Sequence, residues 1–227
     1  MEQTAPVRGS AAAEAAELRW KHFASGVIEC QGTVVWNELT RSAVLIDATD
    51  DPDPFLEFIA GNRLVLKHLL LTHAHVDHAA GTDRVARETG LVPRLHRDDW
   101  ELYAQLPAWA VRFGIDASAP VVAPSPIEDG DRVEVEDGFR LKVLHTPGHT
   151  PGQVAFHVPE IGLVVVGDTL FQGSVGRTDL PGGDFATLER SIRNKLYALP
   201  GETVVVPGHG PTTTIGRERV SNPYVRA

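Results

Sequence analysis

Cysteine is almost absent: the 227-residue chain has one, Cys30. No intrachain disulfide can form, so nothing points to an oxidising compartment. A lone cysteine in an apolar setting reads as a small core side chain. No apolar run reaches the ~18 residues that a membrane-spanning helix needs. The opening stretch MEQTAPVRGSAAAEAAELRW carries acids and lacks the apolar centre of a secretory leader. The expected setting is the cytoplasm, with no membrane partner. Positive charge is scarce as well: 21 Lys and Arg stand against 30 Asp and Glu, a formal net charge of −9. A nucleic-acid partner is therefore not expected, since gripping a phosphate backbone depends on cationic side chains. A small anionic substrate stays open, because a bound metal can overrule the global field.

What is present is ordinary for a globular protein, 42% hydrophobic and 22% charged. No low-complexity linker divides it. Residues 1–22 read as an N-terminal extension, partly disordered or forming a short helix over Ala11–Trp20, and residues 23–227 as a single domain. Within that domain TVVW and SAVLID read as strands around a polar turn. Asp53-Pro54 reads as a helix cap followed by proline, and LVLKHLLLT as a strand buried on both faces. DDWELYAQLPAWAVRFG is helical in pattern but broken by Pro107. Further strands are DRVEVED, FRLKVLHT, GQVAFHV, GLVVVGD and ETVVVPG. A helix from Asp184 places Phe185, Leu188, Ile192, Leu196 and Leu199 on one face. Strands alternating with amphipathic helices predict an α/β sandwich with helices outside the sheets.

One pattern recurs four times: an apolar strand, then a side chain able to bind a metal. LLLT is followed by His73, His75, Asp77 and His78; LKVLHTPG by His149; LVVVG by Asp168; TVVVPG by His209. Neighbouring strands would deliver all seven to one rim. Residues two apart on extended backbone point the same way, so His73 and His75 can share one ion, while Asp77 and His78 open a helix towards a second. Asp168 has two oxygens and can bridge; His149 and His209 would complete one ion each. Nitrogen and oxygen donors without thiolates suit two divalent ions, zinc foremost, with iron or manganese as alternatives. A solvated loop explains one such string, but not three more in matching contexts. His145 reads as a strand or supporting residue, and His22, His68, His96 and His157 show no ligand company.

The strings THAHVDHAAG, HTPGHTPG, GDTLF and PGHGP resemble the ligand motifs of metallo-β-lactamase-fold hydrolases. GDTLFQGSVGRTDLPGGD and GHGPTTTIGRERVSNPYV resemble more particularly the single-domain relatives of glyoxalase II, the hydroxyacylglutathione hydrolases. The resemblance runs from about residue 24 to the C-terminus. It implies a four-layer αββα sandwich with a dinuclear site at one edge. His73, His75 and His149 would hold one metal, Asp77, His78 and His209 the other, and Asp168 would bridge them. It also implies attack by a metal-bridging hydroxide on a thioester such as S-lactoylglutathione, with Asp77 needed for catalysis. Arg177 stands near where the family has a lysine and would meet a substrate carboxylate; the alternative is a loop salt bridge to Asp179 or Asp184. Asp47 would orient the metal loop, although the Pro-Gly usual after it is replaced by Ala48-Thr49. The helical domain that helps two-domain glyoxalase II hold glutathione has no counterpart before Ala227.

The alternative is a persulfide dioxygenase of the same fold, with one iron on His73, His149 and Asp168. A lactonase, a β-lactamase or a nuclease fits less well, and a non-catalytic module would be expected to have lost ligands. Nothing in the sequence speaks to oligomeric state.

Overall fold

The computed structural model describes residues 17–226. Its first sheet contains β1 (Leu18–Ser25), β2 (Cys30–Asn37), β3 (Ser42–Ile46), β4 (Val65–Leu70), β5 (Arg94–His96) and β6 (Ser125–Ile127), in that spatial order. The first three run antiparallel and the rest parallel. The parallel links cross over through α1 (Asp53–Gly61), then the short α2 (Val76–Ala79) with α3 (Thr82–Thr89), then α4 (Trp100–Ala104) with α5 (Leu106–Phe113). The second sheet holds β7 (Arg132–Glu136), β8 (Phe139–His145), β9 (Val154–Val158) and β10 (Leu163–Gly167). After a small hairpin of β11 (Leu170–Phe171) and β12 (Ser174–Val175), it is completed by β13 (Val204–Pro207) and β14 (Thr213–Thr214). Its order is β14-β13-β10-β9-β8-β7. Helices α6 (Phe185–Ser191) and α7 (Ile215–Ser221) cover its outer face.

The layers follow from which faces are apolar. Val35, Val44, Ile46 and Leu70 of the first sheet meet Leu141, Val143, Phe156 and Val165 of the second in one buried cluster. Ala43, Leu45 and Leu69, on the opposite pleat, pack with Phe55 and Val85 of the outer helices. Val164, Val166 and Val205 do the same with Leu188 and Ile215. Two sheets each buried on both faces give the expected αββα sandwich. No helix among the described residues is long and apolar enough to cross a membrane.

Four local expectations are corrected. Leu18–Trp20 lies in β1, paired along its full length with β2, so the ordered domain starts before residue 23 and this part of Ala11–Trp20 is strand, not helix. Tertiary pairing overrides helix propensity there; residues 1–16 lie outside the described part. Strand β4 is buried on both faces only at its end, since Val65 and Lys67 near its start are exposed. Pro52, not Asp53, caps α1. The helix after Asp184 is regular only to Ser191 and continues as a wider π-type turn over Ile192–Leu196, with Phe185 left exposed. The expected break at Pro107 is present between α4 and α5.

Candidate metal centre

The C-terminal ends of β3, β4, β8, β10 and β13 open on the same edge of the sandwich. Two backbone bonds close the sheets on each other there, Val154 N–H to the Thr72 carbonyl at 2.8 Å and Gln31 N–H to the Gly208 carbonyl at 2.7 Å. The seven candidate ligands therefore converge as two sets. His73 Nε2 and His75 Nδ1 are 3.2 Å apart, and His75 Nδ1 and His149 Nε2 2.8 Å. His209 Nε2 lies 3.1 Å from Asp77 Oδ2, and His78 Nε2 lies 3.8 Å from the same oxygen. Asp168 stands between the sets: Oδ1 is 3.3 Å from His78 Nε2, while Oδ2 is 3.6 Å from His149 Nε2 and 3.8 Å from His209 Nε2.

The donors fit cations. His78 Nε2 and Asp168 Oδ1 are buried with no hydrogen-bond partner, a costly state unless something else binds them. Other contacts set which ring nitrogens face inward. His149 Nδ1–H donates to the Arg177 carbonyl at 2.7 Å, His78 Nδ1–H to Asp47 Oδ2 at 3.0 Å, and His73 Nδ1–H to the Thr72 hydroxyl at 3.0 Å. With Nδ1 engaged, Nε2 of each ring is the nitrogen turned towards the other donors and the one that would bind an ion. Burial, with neighbouring imidazoles adding, depresses His73 far below its usual range and His75 to about 3, so both are neutral at pH 7. Burial pushes Asp168 the other way, but His78, His149 and His209 outweigh it and keep it ionised. A side chain at Gly208 would lie 2.2 Å from Asp168 Oδ1 and 2.5 Å from the His78 ring, so only glycine leaves the space between those donors open.

Asp47 is fully inside, in the left-handed region at φ 61°. Its Oδ1 accepts from Thr72 N–H at 2.7 Å, and its Oδ2 from the Thr72 hydroxyl at 2.7 Å and from His78. One carboxylate thus steers rings in both sets, through Thr72 to His73 and directly to His78. The Ala48-Thr49 departure does not displace it.

Two neighbours escape sequence reading. Asp99, fully buried, accepts from Ala74 N–H (3.1 Å), the Thr150 hydroxyl (2.8 Å) and Gly152 N–H (2.7 Å). It ties the loop carrying His73 and His75 to the loop carrying His149. The signal was available: RLHRDDW is another strand followed closely by acids. Cys30 is buried as expected, yet its sulfur lies within 4.8 Å of donor atoms of Asp77, His78 and His209. Burial pushes its thiol up to about 12, so it is protonated.

Arg177 lines the cavity over the centre, but both its Nε and Nη2 bond Asp179 at 2.7 Å, the loop salt bridge of the two readings. His145 is no part of either set; it stacks on His96 at 4.2 Å and 7°, with Asp98 close by. His96 thus does have ligand-type company. His145 Nε2, however, is taken up by the Pro151 carbonyl at 2.9 Å. His68 bonds the Glu134 carbonyl through Nε2. Over the two sets opens a cavity of about 370 Å³.

The description of the metallo-beta-lactamase superfamily matches residues 27–209. Among curated proteins, the chain is 38% identical over 199 residues to hydroxyacylglutathione hydrolase GloC of Haemophilus influenzae, covering 86% of this chain and 92% of that one. Among solved structures it is similar to TTHA1623 in a di-iron-bound form (TM-score 0.82, 38% identity, 90% of this chain and 100% of that one). It is also similar to the BLEG-1 B3 metallo-beta-lactamase (TM-score 0.84, 33% identity, 92% and 100%).

Proposed function

The chain belongs to the metallo-beta-lactamase superfamily, and from that premise we propose that it is a dinuclear metal-dependent hydrolase of thioesters, with S-lactoylglutathione or a related hydroxyacyl thiol as substrate. Its coarser character, a metal-dependent hydrolase using divalent ions, follows from the family and the donor sets. The observation that carries the dinuclear reading is Asp168, whose two oxygens face two separate donor sets at once. His73, His75 and His149 would hold one ion and Asp77, His78 and His209 the other, with Asp168 between them. When bound, the two ions supply Lewis acidity and bring water within reach of deprotonation near neutral pH. The chain's own part is positioning. Asp47, Thr72 and the Arg177 carbonyl fix the ring tautomers, and Asp99 holds two ligand loops together. Arg177 stands at the cavity wall, where Asp179 engages it through both Nε and Nη2. Zinc is the proposed metal, with iron or manganese as alternatives; iron draws support from the di-iron form of the similar TTHA1623.

The likeness to GloC supports hydroxyacylglutathione as the first substrate to try, and that to BLEG-1 makes a β-lactam the necessary comparison. Purified, metal-analysed protein is assayed for hydrolysis of S-lactoylglutathione, with nitrocefin alongside and Asp77→Ala as control. Turnover of the thioester with about two metals per chain, lost in the variant, is expected. Nitrocefin cleavage without thioesterase activity refutes the proposal in favour of a lactamase. A single iron with oxygen consumption on a glutathione persulfide, and no hydrolysis, refutes it in favour of the dioxygenase.

A further inference from the structure

Apart from the ligands, Ser174 and Arg177, the wall of the cavity over the metal centre is apolar. Ile28 comes from the β1–β2 turn, Trp109 and Phe113 from α5, Phe171 and Val175 from the β11–β12 hairpin, and Leu180 from the loop beyond it. Four separate segments thus turn hydrocarbon towards one space. Phe171 presents its ring edge-on to His209 at 6.4 Å between centroids, so the apolar wall reaches a ligand itself. Trp109 and Phe113 stack at 6.4 Å and 22°. None of these six side chains is fully buried, and Ile28 is 37% exposed. Trp109, Phe113 and Val175 rest against core clusters on one side, yet each keeps part of its surface on the cavity, as the lining of an apolar ligand site does.

Charge points the same way. Arg177 is the one cationic side chain lining the cavity among the described residues, and both Asp179 oxygens already engage it. A ligand recognised by its carboxylates finds little here, while one carrying a hydrocarbon group finds six contacts. Resting on the thioester-hydrolase reading, we infer that the preferred substrate carries a bulky apolar substituent next to the scissile bond, held by Trp109, Phe113, Phe171 and Leu180. The substituent belongs either to the acyl group or to the thiol.

Two series separate these sources in zinc-loaded protein. In the first, glutathione is constant and the lactoyl methyl is replaced by phenyl, giving the mandeloyl thioester. In the second, the lactoyl group is constant and glutathione is replaced by benzyl mercaptan. Beside them, binding of the non-hydrolysable S-hexylglutathione is compared with that of S-methylglutathione by calorimetry. One of the series is expected to gain about tenfold in kcat/KM, and the hexyl thioether to bind about tenfold tighter. Trp109→Leu and Phe171→Ala should each erase most of the gain. Thermal melts check both, and Phe171, half-exposed on a two-residue strand, serves if the tryptophan variant unfolds. Hydrolysis of S-lactoylglutathione with no gain in either series and equal thioether affinities overturns the inference and leaves the thioesterase standing. Tighter hexyl binding with no thioester hydrolysed keeps the apolar pocket and overturns the thioesterase.

Discussion

Replacing Asp47 by Asn isolates what its carboxylate does for the metal centre. Asn tolerates the left-handed backbone that Asp47 adopts at φ 61°, so the exchange leaves the turn in place. Its amide oxygen can still accept from Thr72 N–H, now 2.7 Å from Oδ1. The amide NH2 then occupies the position of Oδ2, facing the Thr72 hydroxyl and His78 Nδ1. The hydroxyl can turn and accept. His78 can accept only by moving its proton to Nε2, the nitrogen that faces Asp168 Oδ1 at 3.3 Å. That tautomer has no lone pair left for an ion. The expected result is a tenfold to hundredfold weaker affinity for one of two metals, about the size seen when an outer hydrogen bond to a ligand is removed. Asp47→Ala should do more. It strands three buried donors at ~1–3 kcal/mol each and places a Cβ-bearing residue without a local hydrogen bond at positive φ. Metal titration of dialysed protein, with content measured by mass spectrometry, reads the first effect, and urea melts of the metal-free protein read the second. An Asn variant that binds two metals with unchanged affinity refutes the tautomer argument.

Other expectations are equally direct. Asp99→Ala removes the acceptor shared by Ala74, Thr150 and Gly152; it should cost about 3 kcal/mol or more and weaken the ion held by His73, His75 and His149, read by melts and metal content. Gly208→Ala fills the space between Asp168 and His78, so the protein should fold but retain less metal at the Asp77, His78 and His209 set, whereas full two-metal content would count against the assigned geometry. Cys30, with its thiol pushed up to about 12, stays protonated below that pH. Since the thiolate is the nucleophile, Ellman's reagent at pH 8 should find no reactive thiol in the native protein and one per chain in guanidinium.

Much of the centre was legible because its chemistry is written locally. The H-x-H-x-D-H spacing of residues 73–78 sets directions through backbone geometry alone. Each further candidate follows an apolar strand by a few residues, and strand ends are where a sheet offers side chains to an edge. Leu18–Trp20 shows the limit of local reading: an alanine-rich approach favours a helix, but pairing with β2 makes a strand. Strand β4 shows it again, where an apolar run meets solvent for half its length.

The sequence by itself determined the class of fold and named the candidate donors, since residue type and short-range period decide both. Only the tertiary structure decided which distant segments bring those donors together. His209 meets Asp77 across 132 residues, and Asp99 holds Gly152 across 53. It also decided that Cys30 lies beneath one set, and that α5 and the β11–β12 hairpin wall the cavity with hydrocarbon. These are contacts between segments distant in the chain. They exist because two sheets, each apolar on both faces, pack their inner faces together and so bring one edge of each to the same place.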